Sequence, residues 1–318
     1  MQRTLSLVWG EEPGVSETLA YIASLLGLPW LVRNTIARHR AGILLYHDPD
    51  PATFDAHLAF LSRYYNIVPF GQVVEALETG AWSSLPERAL VVQLDDGYKG
   101  NFELIKVCER HGVTPTLYLC SHVVGTRRKF WSKLKGGRSK QLRLVDNERL
   151  LAKLHDEAGY TPEQEFAARE ALSEQELHAM APRFDFQSHG RFHFSALTLD
   201  EAALDEELRA SRNRIEALTG GPCEHFSYPY GDFSDREVEA VREAGYRSAR
   251  STQPGWVSPG ARLYALPIVA DVPGTASVNQ LRFHLTGLPR LFKRWSYVLV
   301  TKHVYALRQR VLMSRRFF

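Results

Sequence analysis

The sequence predicts an α/β fold built on parallel strands. Three observations carry that expectation. From residue 41 onward, short apolar β-branched runs alternate with helical patterns. The chain has 318 residues, 44% hydrophobic and 24% charged, which suits one large globular body with appendages. The unusual polar residues, His47, Asp95, Asp96, His189 and the Tyr228–Asp232 turn, all fall just past a predicted strand end. In parallel barrels those ends carry the chemistry. Alternation alone leaves a barrel and a doubly wound sheet open.

Taken in order, Ser16–Arg33 reads as one apolar helix. It is shorter than the roughly 20 residues of a membrane span and is interrupted by Gly27 and Pro29, so packing or an interfacial position is expected. The residues before it make a poor secretory signal, because the apolar run is short and Glu11-Glu12 follows at once. A cytoplasmic location, or one on the inner membrane face, is expected. Strands are predicted at Ala41–Tyr46, Tyr65–Pro69, Ala89–Leu94, Thr114–Leu119, Phe184–Gln187, His225–Tyr228, near Tyr246–Ala249, and at Leu263–Val269. Helices are predicted at Thr53–Arg63, Val73–Glu78, Phe102–His111, from Leu172 with a Ser173–Glu176 capping box, Leu199–Leu218 and Arg236–Ala244. A polar insertion, about Gly125 to Glu170, breaks the rhythm and is expected to run over one face.

Three cysteines without tight spacing, Cys108, Cys120 and Cys223, give no disulfide framework and no thiolate zinc knuckle. A reducing compartment is compatible. No Walker loop, dinucleotide glycine motif or G-x-S-x-G elbow occurs, which excludes those nucleotide and serine-triad chemistries. Net charge is +3, unevenly spread: after Asp271 there is no acid and there are nine Lys or Arg, on an otherwise mildly acidic body. An anionic surface is a fitting partner for such a tail; nucleic acid is not expected. Leu288, Leu291, Phe292, Trp295 and Leu299 lie at helical spacing beside arginines. That fits an interfacial helix on anionic lipid and, equally, a helix packed on the body.

The chemistry centres on the run from Ala89 into Asp95-Asp96-Gly97. Two carboxylates delivered by a buried strand are costly without a partner, and side by side they repel unless a proton or a cation sits between them. Read alone, the dipeptide is as well a solvated turn. His189 and His193, four apart across Gly190, add two imidazoles that can share a metal in a turn. With Asp96 they make a two-His, one-carboxylate set suited to zinc, iron or manganese. Asp95 is then left as general base. The rigid Tyr228-Pro229-Tyr230-Gly231-Asp232 turn offers backbone N–H groups to an oxyanion, and His47 a proton to a leaving group. His57, His111, His122, His155, His178 and His225 are read as structural or surface groups.

These pieces, in this order, resemble the polysaccharide deacetylase family, carbohydrate esterase family four, with its NodB homology domain. Gln93-Leu94-Asp95-Asp96-Gly97 is similar to its Thr-Phe-Asp-Asp-Gly motif, Ser188-His189-Gly190-Arg191-Phe192-His193 to His-Ser/Thr-x-x-His, and Phe226-Ser227-Tyr228-Pro229-Tyr230-Gly231 to Phe-Arg-x-Pro-Tyr-Gly. The resemblance implies a distorted (β/α) barrel over residues 41–271, with helical extensions at 1–40 and 272–318, the latter a basic amphipathic tail. It implies Asp95 as base, and Asp96, His189 and His193 as ligands of a divalent metal. Zn2+ is the first expectation and Co2+, Mn2+, Ni2+ or Fe2+ the alternatives. Tyr230 is implied as the oxyanion donor, with Tyr228, Pro229 and Tyr98 lining the substrate. The family's late Leu-x-His acid has no copy here, since Leu281-Arg-Phe-His284 has the wrong spacing. Leu45-Tyr46-His47 fits at the front, as in a circularly permuted exopolysaccharide-deacetylase branch. The implied reaction is removal of N-acetyl groups from an amino-sugar glycan or lipid-linked glycan. Alternatives are hydrolysis of another amide, such as an N-formyl group, or non-catalytic sugar binding. Two departures stand out: Ser227 replaces an arginine that positions the base, and Gln93-Leu94 replaces Thr-Phe.

Overall fold

The computed structural model describes residues 15–134 and 142–290. Its strands are β1 (Gly42–Tyr46), β2 (Asn66–Ile67), β3 (Ala89–Leu94), β4 (Thr116–Leu119), β5 (Asp185–Ser188), β6 (His225–Ser227), β7 (Ser248–Pro254), β8 (Leu266–Ile268) and β9 (Ala270–Asp271). They form a parallel sheet in the order β8-β7-β6-β5-β4-β3-β1-β9, with β2 against the start of β3.

β8 and β9 belong to one extended stretch that changes partner at Val269. Its first half pairs with β7 and its second with β1. Val269 and Val272 donate to the Ile43 and Leu45 carbonyls at 2.9 and 2.8 Å. The sheet therefore comes round on itself as a nearly closed barrel, and the doubly wound alternative is excluded. β1, carrying His47, sits between β3 and β9.

Helices lie around the strands: α1 (Glu17–Leu25), α2 (Leu28–Asn34), α3 (Pro51–Tyr64), α4 (Phe70–Thr79), α5 (Ile105–His111), α6 (Asn147–Ala158), α7 (Glu174–Met180), α8 (Glu201–Thr219), α9 (Asp235–Glu243) and α10 (Val278–His284). Period-2 burial splits the core in two. Leu44, Tyr46, Leu90, Val92 and Leu94 pack outward under the helices. Ile43, Leu45, Ala89 and Val91 pack with Leu266, Ile268 and with Phe70, Val73 and Val74 of α4, which closes that inner core.

The elements follow the sequence reading, except that helix α6 forms within the polar insertion, β9 is a separate strand, and three expected elements differ. The helix expected over Ser16–Arg33 is two helices, because Gly27 turns left-handed at φ 71° and Pro29 opens the next. The helix expected from Phe102 begins as a 3-10 turn over Lys99–Leu104. The strand near Tyr246 starts at Ser248, after a turn at Gly245. The Ser173–Glu176 capping box forms as read. The two extensions meet: Val15, Ala20 and Ala23 cluster with Phe283, and Gln280 donates to the Val15 carbonyl at 2.6 Å. Of the tail, residues 291–318, with Leu291, Phe292, Trp295 and Leu299, lie outside the described residues.

Candidate active site

The polar residues at the strand ends converge. Asp95 and Asp96 follow β3, and His189 follows β5. The turn after β4 straps theirs together: Cys120 donates to the Asp96 carbonyl at 3.2 Å, and Ser121 and His122 to the Gly190 and Arg191 carbonyls at 2.9 and 3.0 Å. Among the described residues, four non-glycine residues have left-handed backbone: Arg88, Asp96, His193 and Tyr230. Three of the four are expected site residues. Such conformations cost about 1–3 kcal/mol each and persist where packing over-determines them. Gly231 supplies the close approach beside Tyr230: a Cβ there would lie 2.0 Å from Thr252 Oγ1.

Ligand atoms of Asp96, His189 and His193 all lie within 4.8 Å of one another. His193 Nε2 is 3.4 Å and His189 Nε2 3.7 Å from Asp96 Oδ1. The two rings meet edge to face at 4.8 Å. His189 Nδ1 lies 2.8 Å from the Ser227 carbonyl, which can only accept. That bond fixes the tautomer and leaves a lone pair on Nε2. Burial pushes His189 well below its usual range, with His193 adding to the effect, and burial also lowers His193. Burial opposes charge on Asp96, but His193, then His47 and His189, outweigh it and hold the carboxyl below its usual range. The His189 Nε2 lone pair thus faces the Asp96 carboxylate, with the His193 ring beside it. Acceptors at that spacing repel unless a cation lies among them, so the donor set fits a divalent metal.

Asp95, equally buried, stands 3.6 Å from His189 Nε2 on the other side. Its partner is Arg250 of β7, itself fully buried. Arg250 Nη2 donates to Asp95 Oδ1 at 2.6 Å, to Oδ2, and to Ser227 Oγ. β6 and β7 pair Ser227 directly with Arg250. The arginine missing at position 227 is therefore supplied one strand over, and the serine joins its network. Gln93, also interior, donates to Tyr118 Oη at 3.4 Å, and the guanidinium lies 5.3 Å from the Tyr118 ring.

His47 follows β1, the strand between β3 and β9. Its ring is 39% exposed, so it is reachable from solvent, and its Nδ1 lies 3.5 Å from Asp271 Oδ1 at the end of β9. Asn101 donates to the His47 carbonyl at 2.8 Å. Burial disfavours the charged ring, but Asp271, then Asp96 and Asp95, outweigh it and raise His47 to about 10. Asp271 is held low in turn, His47 overcoming its burial.

The expected substrate contacts divide. Tyr230 stands at the site, its ring 4.5 Å from that of His193. Tyr98 is half-buried, 4.7 Å from the Phe130 ring and in hydrogen-bond contact with Asp96, which, after burial, raises its pKa. Tyr228 and Pro229 do not reach the opening. Tyr228 is fully buried against Phe226 and Phe233 and gives its hydroxyl to the Tyr264 carbonyl at 3.1 Å. The residue just past β6 points into the outer core, where two more aromatic rings fill the layer. The polar insertion instead supplies a wall: buried Trp131 donates to the His193 carbonyl at 3.1 Å and lies 6.2 Å from Tyr230.

Sequence reasoning missed Arg250, Asp271, Trp131 and Glu207. Glu207 lies on the buried face of α8 with Leu204, Leu208 and Ser211. A carboxylate at core spacing was the available signal. It accepts from the Arg191 N–H at 2.6 Å and sits where a Cβ on Gly190 would touch it. Burial raises it to about 7 against the pull of the Arg191 and Phe192 amides. Glu207 thus shapes the turn between the two imidazoles. Glu207→Ala is expected to weaken metal affinity about 10–100-fold while the barrel stays folded. Competition with a chelator measures it, and unchanged affinity would remove Glu207 from the site.

The barrel is shared with solved deacetylases. The solved polysaccharide deacetylase BC0361 of Bacillus cereus matches with a TM-score of 0.55 at 20% identity, covering 77% of this chain and 69% of that one. The deacetylase PplD of Streptococcus pyogenes, solved with acetate, matches with a TM-score of 0.57 at 14% identity, covering 77% and 98%. The putative polysaccharide deacetylase YxkH of Bacillus subtilis (strain 168) is 20% identical over 244 residues, 73% of this chain and 71% of that protein. The polysaccharide deacetylase family model matches residues 83–249. The chain belongs to the polysaccharide deacetylase family. His47 and Asp271 lie outside the matched stretch.

Proposed function

We propose that this chain is a metal-dependent hydrolase that removes N-acetyl groups from an amino-sugar-containing glycan. The observation that carries the reading is the convergence of Asp96, His189 and His193 within 4.8 Å, with Asp95 beside His189 and His47 past the end of the neighbouring strand β1. These three side chains would hold the ion. A divalent ion, Zn2+ first among the fitting metals, supplies Lewis-acid polarisation of an acyl carbonyl and makes water acidic near neutral pH.

The protein's own groups do the rest. Asp95, aimed by Arg250, accepts the proton of the attacking water. His47, held protonated by Asp271, gives a proton to the departing amine. The left-handed Tyr230 turn sets backbone beside His193, where a donor to the developing oxyanion is needed. Trp131 and Tyr230 limit water at that wall.

The test couples metal analysis of the purified chain to acetate release from a panel of N-acetylated amino sugars. A stoichiometric divalent ion and acetate release are expected, and Asp96→Ala should lose both. Turnover that survives in Asp96→Ala, or after complete chelation, overturns the reading.

A further inference from the structure

Eight of the ten most exposed large apolar side chains among the described residues fall between Leu19 and Ile36, on α1, α2 and the turn after them. Leu26 is 80%, Leu25 68% and Trp30 61% exposed. Isolated exposed leucines need no explanation, but a contiguous set of this size marks a contact surface.

The charge beside this face says what kind. Arg33 of α2 lies 4.4 Å and Arg63 of α3 5.5 Å from the Tyr64 ring centroid. Arg282 of α10 lies 6.0 Å from Phe60, and Phe60 and Tyr64 are themselves 4.8 Å apart. Three guanidiniums from three helices thus gather on one aromatic pair. None of them has an ion-pair partner among the described residues, whereas neighbouring Arg38 is paired with Glu87. From Thr18 to His47 the chain has no Asp or Glu. Like charges collected in this way call for an anion.

We propose that α1 and α2 dock in an anionic lipid surface, the apolar side chains entering the acyl boundary and Arg33, Arg63 and Arg282 meeting lipid phosphates. Trp30 and Tyr21 have the amphipathic rings that suit the headgroup level. Of the other occupants, residues 1–14 bring two acids, Glu11 and Glu12, against Arg3, too few to neutralise three guanidiniums. Residues 291–318 carry seven Lys or Arg and no acid, so they cannot neutralise the cluster. A second copy would set arginines against arginines. No described helix is long and apolar enough to cross a membrane, so the contact is peripheral. The stretch Arg38–Arg40 that follows α2 leads into the start of β1, while His47 stands past its end, so the site opens at the far end of the barrel from that stretch.

Sedimentation of the full chain with vesicles tests this. Phosphatidylglycerol-containing vesicles are expected to bind it, more weakly as salt rises, and pure phosphatidylcholine far less. Leu25→Ser/Leu26→Ser/Trp30→Ser should lose at least tenfold in binding. Each of Arg33→Gln, Arg63→Gln and Arg282→Gln should lose about fivefold, on anionic vesicles only. These side chains lie on the surface, and acetate release from a soluble substrate serves as the folding control, expected unchanged in every variant. Variants that sediment like the unaltered chain would overturn the proposal. So would an unaltered chain that ignores anionic vesicles, including one in which the serine triple variant only turns a dimer into a monomer.

Discussion

Replacing Arg250 with methionine is expected to destabilise the fold by about 3–5 kcal/mol and to silence the site at neutral pH. Arg250 is fully exposed to nothing but protein, and Asp95 is its ion-pair partner at the barrel's inner wall. Removing one member leaves the other's charge buried and uncompensated. The Asp95 carboxylate also loses the guanidinium that aims it, so kcat/KM should fall sharply in the variant. Urea unfolding reads the stability change. The double variant Arg250→Met/Asp95→Asn should be more stable than Arg250→Met alone, because it removes the orphaned charge. A single variant as stable as the unaltered chain would dissolve the pair.

Asp271→Asn is expected to move the alkaline limb of the pH profile of kcat/KM toward neutrality by at least a pH unit. A proton donor must be protonated, so activity falls as pH rises through its pKa. His47 ordinarily titrates near 6.5 and is raised to about 10, with Asp271 the strongest upward influence. Without that carboxylate the ring titrates lower, and the proposed acid is lost at a lower pH. A bound cation offsets the help of Asp96 and Asp95 but leaves Asp271 in place. The stability sign follows the same direction. The raised His47 contributes stability that is complete below about 6.5 and lost as pH rises through about 10. Profiles that superimpose in the two proteins would free His47 from Asp271.

The strand ends were legible because their residues are costly anywhere else: a carboxylate pair closing a β-branched run, and imidazoles flanking a glycine. The partners that tune them were not. Arg250 sits in Ser248-Ala249-Arg250-Ser251, a polar run that reads as surface, and meets Asp95 across 155 positions of chain. Only the closed barrel brings those strands face to face. Asp271 was visible merely as the last acid before the basic tail. Tyr228 was misread in the other sense. A tyrosine in a site-like motif suggests a sugar contact, yet alternation along β6 turns it into the outer layer, and side-chain direction depends on register that spacing does not give. At the N-terminus, the apolar pattern of Ser16–Arg33 told of burial or an interface. Only the packed structure showed how few of those side chains found cover within the protein.

The stretch from Leu266 to Asp271 leans first on the strand that carries Arg250 and then on the strand that carries His47, and it ends in the carboxylate that charges His47. One local seam thus underwrites both the proposed base and the proposed acid. Were it to fray, base and acid would fail together, so heat or mild denaturant should carry the molecule from competent to inert with no intermediate that performs half the reaction.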